Sequence, residues 1–287
     1  MTYGTQILAR SLSVPSSGAN GYAHGNLWQY HPRSDRHSKI VCWGVFFDLL
    51  LRESLIFRHV QDGKVAFGIN HRMRDFQNDR QKDLDLVICR RAHAESSAGL
   101  RTLAEMIPAY GIMLSPAEQS LFSRLPDIPI TSVQTALIAM EAKAAFTEFG
   151  KARPRLYDEL NSSHLTIHGD TDSAIAAGLA LINVADSFVS PLRNPWSIGT
   201  HPTVINAHNQ PKDAAGAIAK ISQLPRRSST GERGFDAVGA VVIDCKNDGS
   251  LVRLVASQPS PQKGEAFHYD SFIERIDTIY AARFGGI

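Results

Sequence analysis

Residues 136–143 read Ala-Leu-Ile-Ala-Met-Glu-Ala-Lys, and residues 82–89 read Lys-Asp-Leu-Asp-Leu-Val-Ile-Cys. Both are short apolar runs with charge at one end, too short for a helix that must stand alone, and both predict buried strands. Side chains alternate between the faces of a strand. Glu141 and Lys143 are therefore expected on one face with Ala142 packed into the sheet, and Asp83 and Asp85 on one face opposite Leu84 and Leu86. Carboxylates from two neighbouring strands then meet within reach of one divalent cation. Mg²⁺ prefers oxygen, keeps several waters and needs only one or two protein carboxylates. A lysine two residues beyond such a ligand can orient or help deprotonate a water and offset the charge that develops on a phosphorane-like transition state. Asp85, Glu141 and Lys143 are thus the candidate catalytic residues for phosphodiester hydrolysis.

Elements outward from these strands follow from periodicity and punctuation. Ser34 is placed to cap a helix over residues 35–58, with Ile40, Val41, Val45, Leu49 and Ile56 at helical spacing and Asp62-Gly63 as its stop. Residues 65–69 predict a strand. Residues 92–130 read as a helical insertion, with helices near 100–106 and 115–122, the second with Pro116 in its first turn. Residues 146–160 predict a helix with Pro154 near its start, and 172–184 a helical stretch running into a strand near 179–184. Residues 237–244 and 252–256 pair as a hairpin around Lys246-Asn247-Asp248-Gly249, and 269–284 close the chain as an amphipathic helix. The result is an α/β chain with a mixed sheet flanked by helices. Residues 1–37, rich in Gly, Ser and His, read as an irregular N-terminal arm.

This order of elements, with Asp85 leading into one apolar strand and Glu141-Ala142-Lys143 ending another, resembles the PD-(D/E)xK nuclease superfamily. That family's core is a helix, a three-stranded meander carrying the Asp and the (D/E)xK, a helix and a further strand. The resemblance covers residues 34–185, roughly half of the chain. No proline precedes the aspartate, so Asp83 and Asp85 compete for the ligand position; the buried Leu86-Val87-Ile88 that follows favours Asp85. The long separation of Asp85 from Glu141 implies the inserted helical element.

What the resemblance implies is a restriction-endonuclease-like core over 38–185, an N-terminal arm over 1–37 and a C-terminal extension over 186–287 packed on the core. It implies a Mg²⁺-dependent endodeoxyribonuclease, with Mn²⁺ as a substitute ion, in restriction or anti-phage defence. Asp83 and a supporting acid, Glu53 on the first helix, join Asp85 and Glu141 as metal-ligand candidates. Lys151, Arg153 and Arg155, beside the site in the resembled fold, are candidate DNA-backbone contacts, with Tyr157 and Asn161 facing the same cleft. A repair or recombination nuclease, or a non-catalytic relative that binds DNA or a partner protein, is the alternative. Cutting both strands of a duplex calls for a homodimer, with the insertion or the stripe Phe272, Ile276, Ile279 and Tyr280 as its contact, unless that stripe packs on its own core. A helicase or sensor is a candidate partner, and the sequence does not say whether one gates the activity.

Composition narrows the remaining classes. Lys and Arg exceed Asp and Glu by only two charges, too few for nucleic-acid binding by bulk electrostatics. One loop, residues 224–234 (LPRRSSTGERG), concentrates arginine, and Arg226 and Arg227 are read as exposed phosphate contacts on an otherwise ordinary solvated loop. Three well-separated cysteines offer neither a disulfide framework nor a zinc ribbon. No run of residues has the length and apolarity of a membrane span, and Arg10 falls where a signal peptide needs its apolar centre, so a cytoplasmic protein that does not engage membranes is expected. His164 and His168 have the spacing of a helical metal pair but lack a third ligand. Gly150-Lys151 lacks the glycines of a phosphate loop, no Gly-x-Ser-x-Gly elbow occurs, and His201, His208 and Asp213 read as loop-packing residues.

Overall fold

The fold was taken from a computed structural model that describes residues 1–76, 78–91, 102–133 and 135–287. Its N-terminal segment is not an irregular arm. Gly4–Leu12 forms helix α1, whose Ile7, Leu8 and Leu12 are buried. Its first free amides do not find a local cap. The N–H groups of Tyr3 and Gly4 donate instead to the Asp48 carboxylate, 2.6 and 2.8 Å away, from the next helix. That helix, α2 (Arg36–Leu50), is apolar on all sides and buried along nearly its whole length, as a helix sandwiched between layers must be. Gly44 lets α1 approach it closely; a Cβ there would stand 2.7 Å from Gly4 Cα. The expected helix over 35–58 breaks at residues 51–54, and α3 (Leu55–Gln61) resumes it.

Strands β1 (Val65–Asp75) and β2 (Arg80–Arg90) form an antiparallel hairpin, longer than expected because its far half is exposed and polar. Of the insertion, residues 92–101 lie outside the described residues, and the helix expected over 100–106 does not form over 103–105, which are turn. The part described holds the short helices α4 (Met106–Tyr110) and α5 (Pro116–Phe122). A capping box starts α5: Ser115 accepts from the Glu118 N–H, and Glu118 accepts from the Ser115 N–H. Strand β3 (Ala136–Ala145) follows, then α6 (Phe149–Asp170), which runs well beyond the expected end and carries Pro154 in its second turn. The stretch from 172 is therefore not helical. Strand β4 (Ile175–Asn183) occupies it, buried at every residue, and a strand covered on both faces has no alternation for the sequence to reveal.

Two short strands, β5 (Ser187–Val189) and β6 (Ile205–Ala207), pair as a small separate sheet. Helix α7 (Lys212–Ile221) leads to β7 (Ala237–Asp244), which turns through residues 246–249 into β8 (Arg253–Leu254), and α8 (Tyr269–Phe284) ends the chain. The main sheet has the order β1-β2-β3-β4-β7-β8. Its first three strands form an antiparallel meander, while β3, β4 and β7 run parallel. Residues 186–287 thus do not merely pack on a finished core, because β7 extends the sheet beside β4.

Two apolar clusters cover the sheet faces. On one side, residues of α1, α2, α3 and α8 pack with Leu86, Ile88, Ile138 and Met140. On the other, Leu156, Leu160 and Ile167 of α6 and Ala214, Ala217 and Ile221 of α7 pack with Leu84, Val87 and Ala139. Phe272, Ile276 and Tyr280 are buried in the first cluster. Burial of each such side chain is worth about 1.5–3 kcal/mol, so the α8 stripe serves its own core and is not free for a dimer contact. No helix among the described residues is long and apolar enough to cross a membrane.

Candidate active site at a fork in the sheet

Strands β2 and β3 pair as far as Leu86 opposite Met140 and then part. Asp85 and Glu141 are the next residues on either side of the fork. Regular alternation fails on the β2 side. Leu84 packs with the α6 layer and Leu86 with the α2 layer, although residues two apart on a regular strand share a face. Across the hairpin, Asn70 takes a left-handed φ of 49° at the matching point. The kink points the Asp85 side chain at the start of α2. There Oδ1 accepts from Lys39 Nζ at 2.6 Å and Ser38 Oγ at 2.9 Å, and Oδ2 accepts from the Ala142 N–H at 3.0 Å, where a ladder bond would otherwise run.

Glu141 and Lys143 share a face of β3, as expected, and it is the face that looks to α6. Lys143 Nζ lies 2.6 Å from Glu141 Oε1 and 3.5 Å from Glu159 of α6, and Lys82 Nζ lies 3.9 Å from the same Oε1. Glu141 is 1% exposed, and its Oε2 has no hydrogen-bond partner. Burial, then the charge on Asp85, push the Glu141 carboxyl up to about 6. Asp85 goes the other way: burial would raise it, but the Lys39 charge and hydrogen bond hold it below the ordinary carboxylate range. Burial opposes the charge on Lys143 as well, and Glu141 beside it more than compensates, so that ammonium stays firmly protonated.

Asp85 and Lys143 line a cleft of about 480 Å³. One wall is Tyr30, Pro32 and Arg33 of the N-terminal segment together with His37 of α2; the facing wall is the first three turns of α6, bearing Lys151, Arg155 and Glu159. Burial holds His37 down to about 4, so its ring is neutral near pH 7.

Several expected participants are elsewhere. Asp83 is exposed and held by Arg72 through contacts of 2.7 and 3.0 Å, outside the cleft lining. Glu53 is not helical at all: it sits at φ 53° in the turn after α2, beyond the end of the helix opposite to the one that touches Asp85. From Lys39 to Leu50 the helix alone spans about 17 Å. Lys151 and Arg155, one helical turn apart, both line the cleft with side chains 86% and 78% exposed. Arg153 points the other way round α6, donating to Phe149 O and packing at Gly216 of α7. Tyr157 sits under Lys220 of α7, and Asn161 bonds to His164. Arg226 is exposed over the Phe267 ring, apart from the cleft.

Arg227 is a correction of substance. Its side chain has no exposure and is bound by Asp236 and Asp172, so it cannot contact a DNA backbone. His164 and His168 do share a face of α6, but each ring bonds elsewhere, to Asn161 and to Gly234 O. Among the described residues no group of three or more His, Cys, Asp or Glu is placed to hold a metal ion. What the fork offers is a pair of acids. Each carboxylate oxygen has two acceptor sites; Glu141 Oε2 uses none and Asp85 Oδ2 uses one. Those two oxygens are the acceptors that the fork leaves open.

Lys39, Ser38 and Glu159 were not singled out in the sequence. Lys39 has a signal in hindsight: it precedes Ile40-Val41-Cys42-Trp43 inside a helix with no polar face, and such a charge needs a buried partner. Glu159 follows Arg155 by one helical turn, on the face that meets β3. Comparison with models of known protein families, with curated proteins and with solved structures returns no match.

Proposed function

We propose that the chain is a metal-dependent nuclease that hydrolyses DNA phosphodiester bonds on a restriction-endonuclease-like core. The observation that carries this reading is the fork itself. Two buried carboxylates from adjacent strands stand one residue past the last ladder pair, one with an oxygen that no protein group satisfies, beside a lysine that opens onto a cleft. A buried oxygen without a partner costs about 1–3 kcal/mol, a cost that a folded chain keeps where a ligand will meet it. The order of helix, antiparallel meander, helix and parallel strand also supports the reading, with α2, β1 to β3, α6 and β4 in those places.

Asp85 and Glu141 would hold the divalent ion, Mg²⁺ first, and the ion when bound would acidify a water and neutralise developing phosphate charge. The protein's part is positioning. Lys39, Ser38 and the Ala142 amide fix the Asp85 carboxylate in one orientation. Lys143, held between Glu141 and Glu159, keeps its proton and presents a positive charge where a non-bridging phosphate oxygen gains charge. Lys151 and Arg155 supply backbone contacts at the cleft mouth.

The test is supercoiled plasmid incubated with the purified protein and Mg²⁺ against a chelator control. Metal-dependent nicking or linearisation that E141Q lacks is expected. Failure to cut either the plasmid or a single-stranded oligonucleotide under Mg²⁺ or Mn²⁺, or cutting that survives both chelator and E141Q, would overturn it.

A further inference from the structure

The cleft at the fork is small. At about 480 Å³ it has the size of a pocket for a small molecule, whereas duplex DNA carries a major groove that alone is about 12 Å wide. A cleft of that size receives the phosphodiester of a single strand between Asp85 and Lys143 more readily than that of a duplex with both strands paired.

The wall that would have to yield is pinned. Asn247, in the turn between β7 and β8, accepts from the N–H groups of Gln29 and Tyr30 at 3.0 and 2.9 Å and donates to Tyr30 O at 3.0 Å. Opening the cleft for a duplex would break these bonds and separate the N-terminal segment from the sheet. The same wall presents an aromatic surface. The half-buried Tyr30 ring lines the cleft and packs against Phe146 and His37, with centroids 4.3 and 4.9 Å away. Aromatic rings beside a cationic track are how proteins hold unpaired nucleotides, because every base has a face to stack. The track is present as Arg33, Lys151 and Arg155. It is also weak as a bulk electrostatic surface, since Lys151 and Arg155 lie beside Glu148 and Glu159. Contact with bases, not charge alone, must then supply much of the grip.

We infer that the substrate is unpaired DNA, a single-stranded end, flap or extruded nucleotide whose phosphodiester reaches Asp85 and Lys143 while a neighbouring base stacks on Tyr30. This rests on the nuclease reading above.

The experiment presents one labelled strand alone, as a blunt duplex, and as a duplex with an unpaired extension, each with Mg²⁺. The strand and the extension are expected to be cut at least about tenfold faster than the blunt duplex, the ratio set by opening a single base step of about 1.4 kcal/mol. A second arm measures binding of strand and duplex by D85N in chelator, where nothing is cut. There Y30A on the D85N background is expected to weaken strand binding by roughly 5- to 150-fold, the range for one stacked base, and Y30F to retain it. Blunt duplex cut as fast as the strand, or bound as tightly, overturns the inference, and so does Y30A binding the strand unchanged with its far-ultraviolet spectrum intact. Should Y30A not fold, the unsubstituted protein's strand-to-duplex ratios decide alone. A protein that cuts none of the three substrates overturns the nuclease reading, and the binding arm still decides whether the cleft prefers unpaired DNA.

Discussion

Arg227 and Glu141 are both charged side chains with almost no exposure, and the same sheet treats them in opposite ways. Around Arg227 every group is used. Its guanidinium reaches both Asp236 oxygens, an Asp172 carboxylate oxygen and the carbonyls of Asp172 and Ala174. Asp236 in turn takes Arg283 and the Ala176 amide. The cluster ties the 224–234 loop and α8 to the start of β4 and leaves nothing over for a ligand. Around Glu141 the accounts do not close: one oxygen takes Lys143, the other takes nothing. Buried charge alone therefore does not mark a site. A buried charge with an unspent acceptor, paired with a lysine that lines a cleft, marks a candidate one.

The largest expected effect belongs to the satisfied cluster. R227M leaves Asp236 buried with half its partners gone, and breaking a buried pair from one side costs about 3–5 kcal/mol. Urea unfolding should show that loss, while cleavage below the transition stays near wild type. A variant that loses cleavage but keeps its unfolding midpoint would place Arg227 in the functional site after all.

Next comes the open cluster, where the effect falls on rate. D85N, E141Q and K143A should each cut about 10²–10³-fold more slowly, the usual loss when one electrostatic contributor is removed. E141Q should be as stable as wild type at pH 8 or more so. The sign follows from burial: a carboxyl pushed up to about 6 favours folding fully below its unfolded value and progressively less as pH rises through 6. Asp236 is held below the ordinary range, burial being outweighed by Arg227 and Arg283. It therefore contributes above its unfolded value and loses that contribution only in acid. An E141Q midpoint well below wild type at pH 8 would make Glu141 structural.

The same shift predicts a pH profile. Glu141 can serve a cation only when ionised, so at subsaturating Mg²⁺ the rate should fall about tenfold per unit of pH below an inflection near 6, and raising Mg²⁺ should move that inflection down. Stability should not fall with it over that range. A rate at subsaturating Mg²⁺ that is flat from pH 8 to pH 5 would remove Glu141 as a ligand.

How far the chain could be read without its structure divides along similar lines. Features whose causes are local were legible. Helix α5 has Pro116 in its first turn, the turn before β8 lies within 246–249, and the α8 stripe repeats at helical spacing. The order of strands around Asp85 and Glu141 was legible too, because both sit at the ends of apolar runs. Features whose causes are remote were not. Helix α1 is started by Asp48, across forty residues of sequence; β4 is buried on both faces and has no period; β7 joins the sheet beside β4 across the supposed boundary at 186. At the site the sequence pointed to the acids and the lysine but not to Lys39, and it counted Arg227 as exposed because nothing near it in the chain announces Asp172 or the closure of the loop on β4.

The smallest effect separates Asp85 from Asp83, two residues away on the same strand. Asp83 meets Arg72 on the exposed part of the hairpin, with side chains 48% and 67% accessible. Exposed pairs of this kind are worth about 0–1 kcal/mol and weaken further with salt. D83N should therefore move the unfolding midpoint within that range and leave the cleavage rate within about twofold, a rate change worth about 0.4 kcal/mol. D85N, by contrast, strips the charge from a carboxylate whose partners are Lys39, Ser38 and the amide of Ala142. The two substitutions are chemically identical, so the ratio of their rates reads the kink at Asp85 directly. Equal losses would mean that the strand holds regular alternation and that both acids face one ligand; a loss at D83N alone would move the site one pleat toward the hairpin tip.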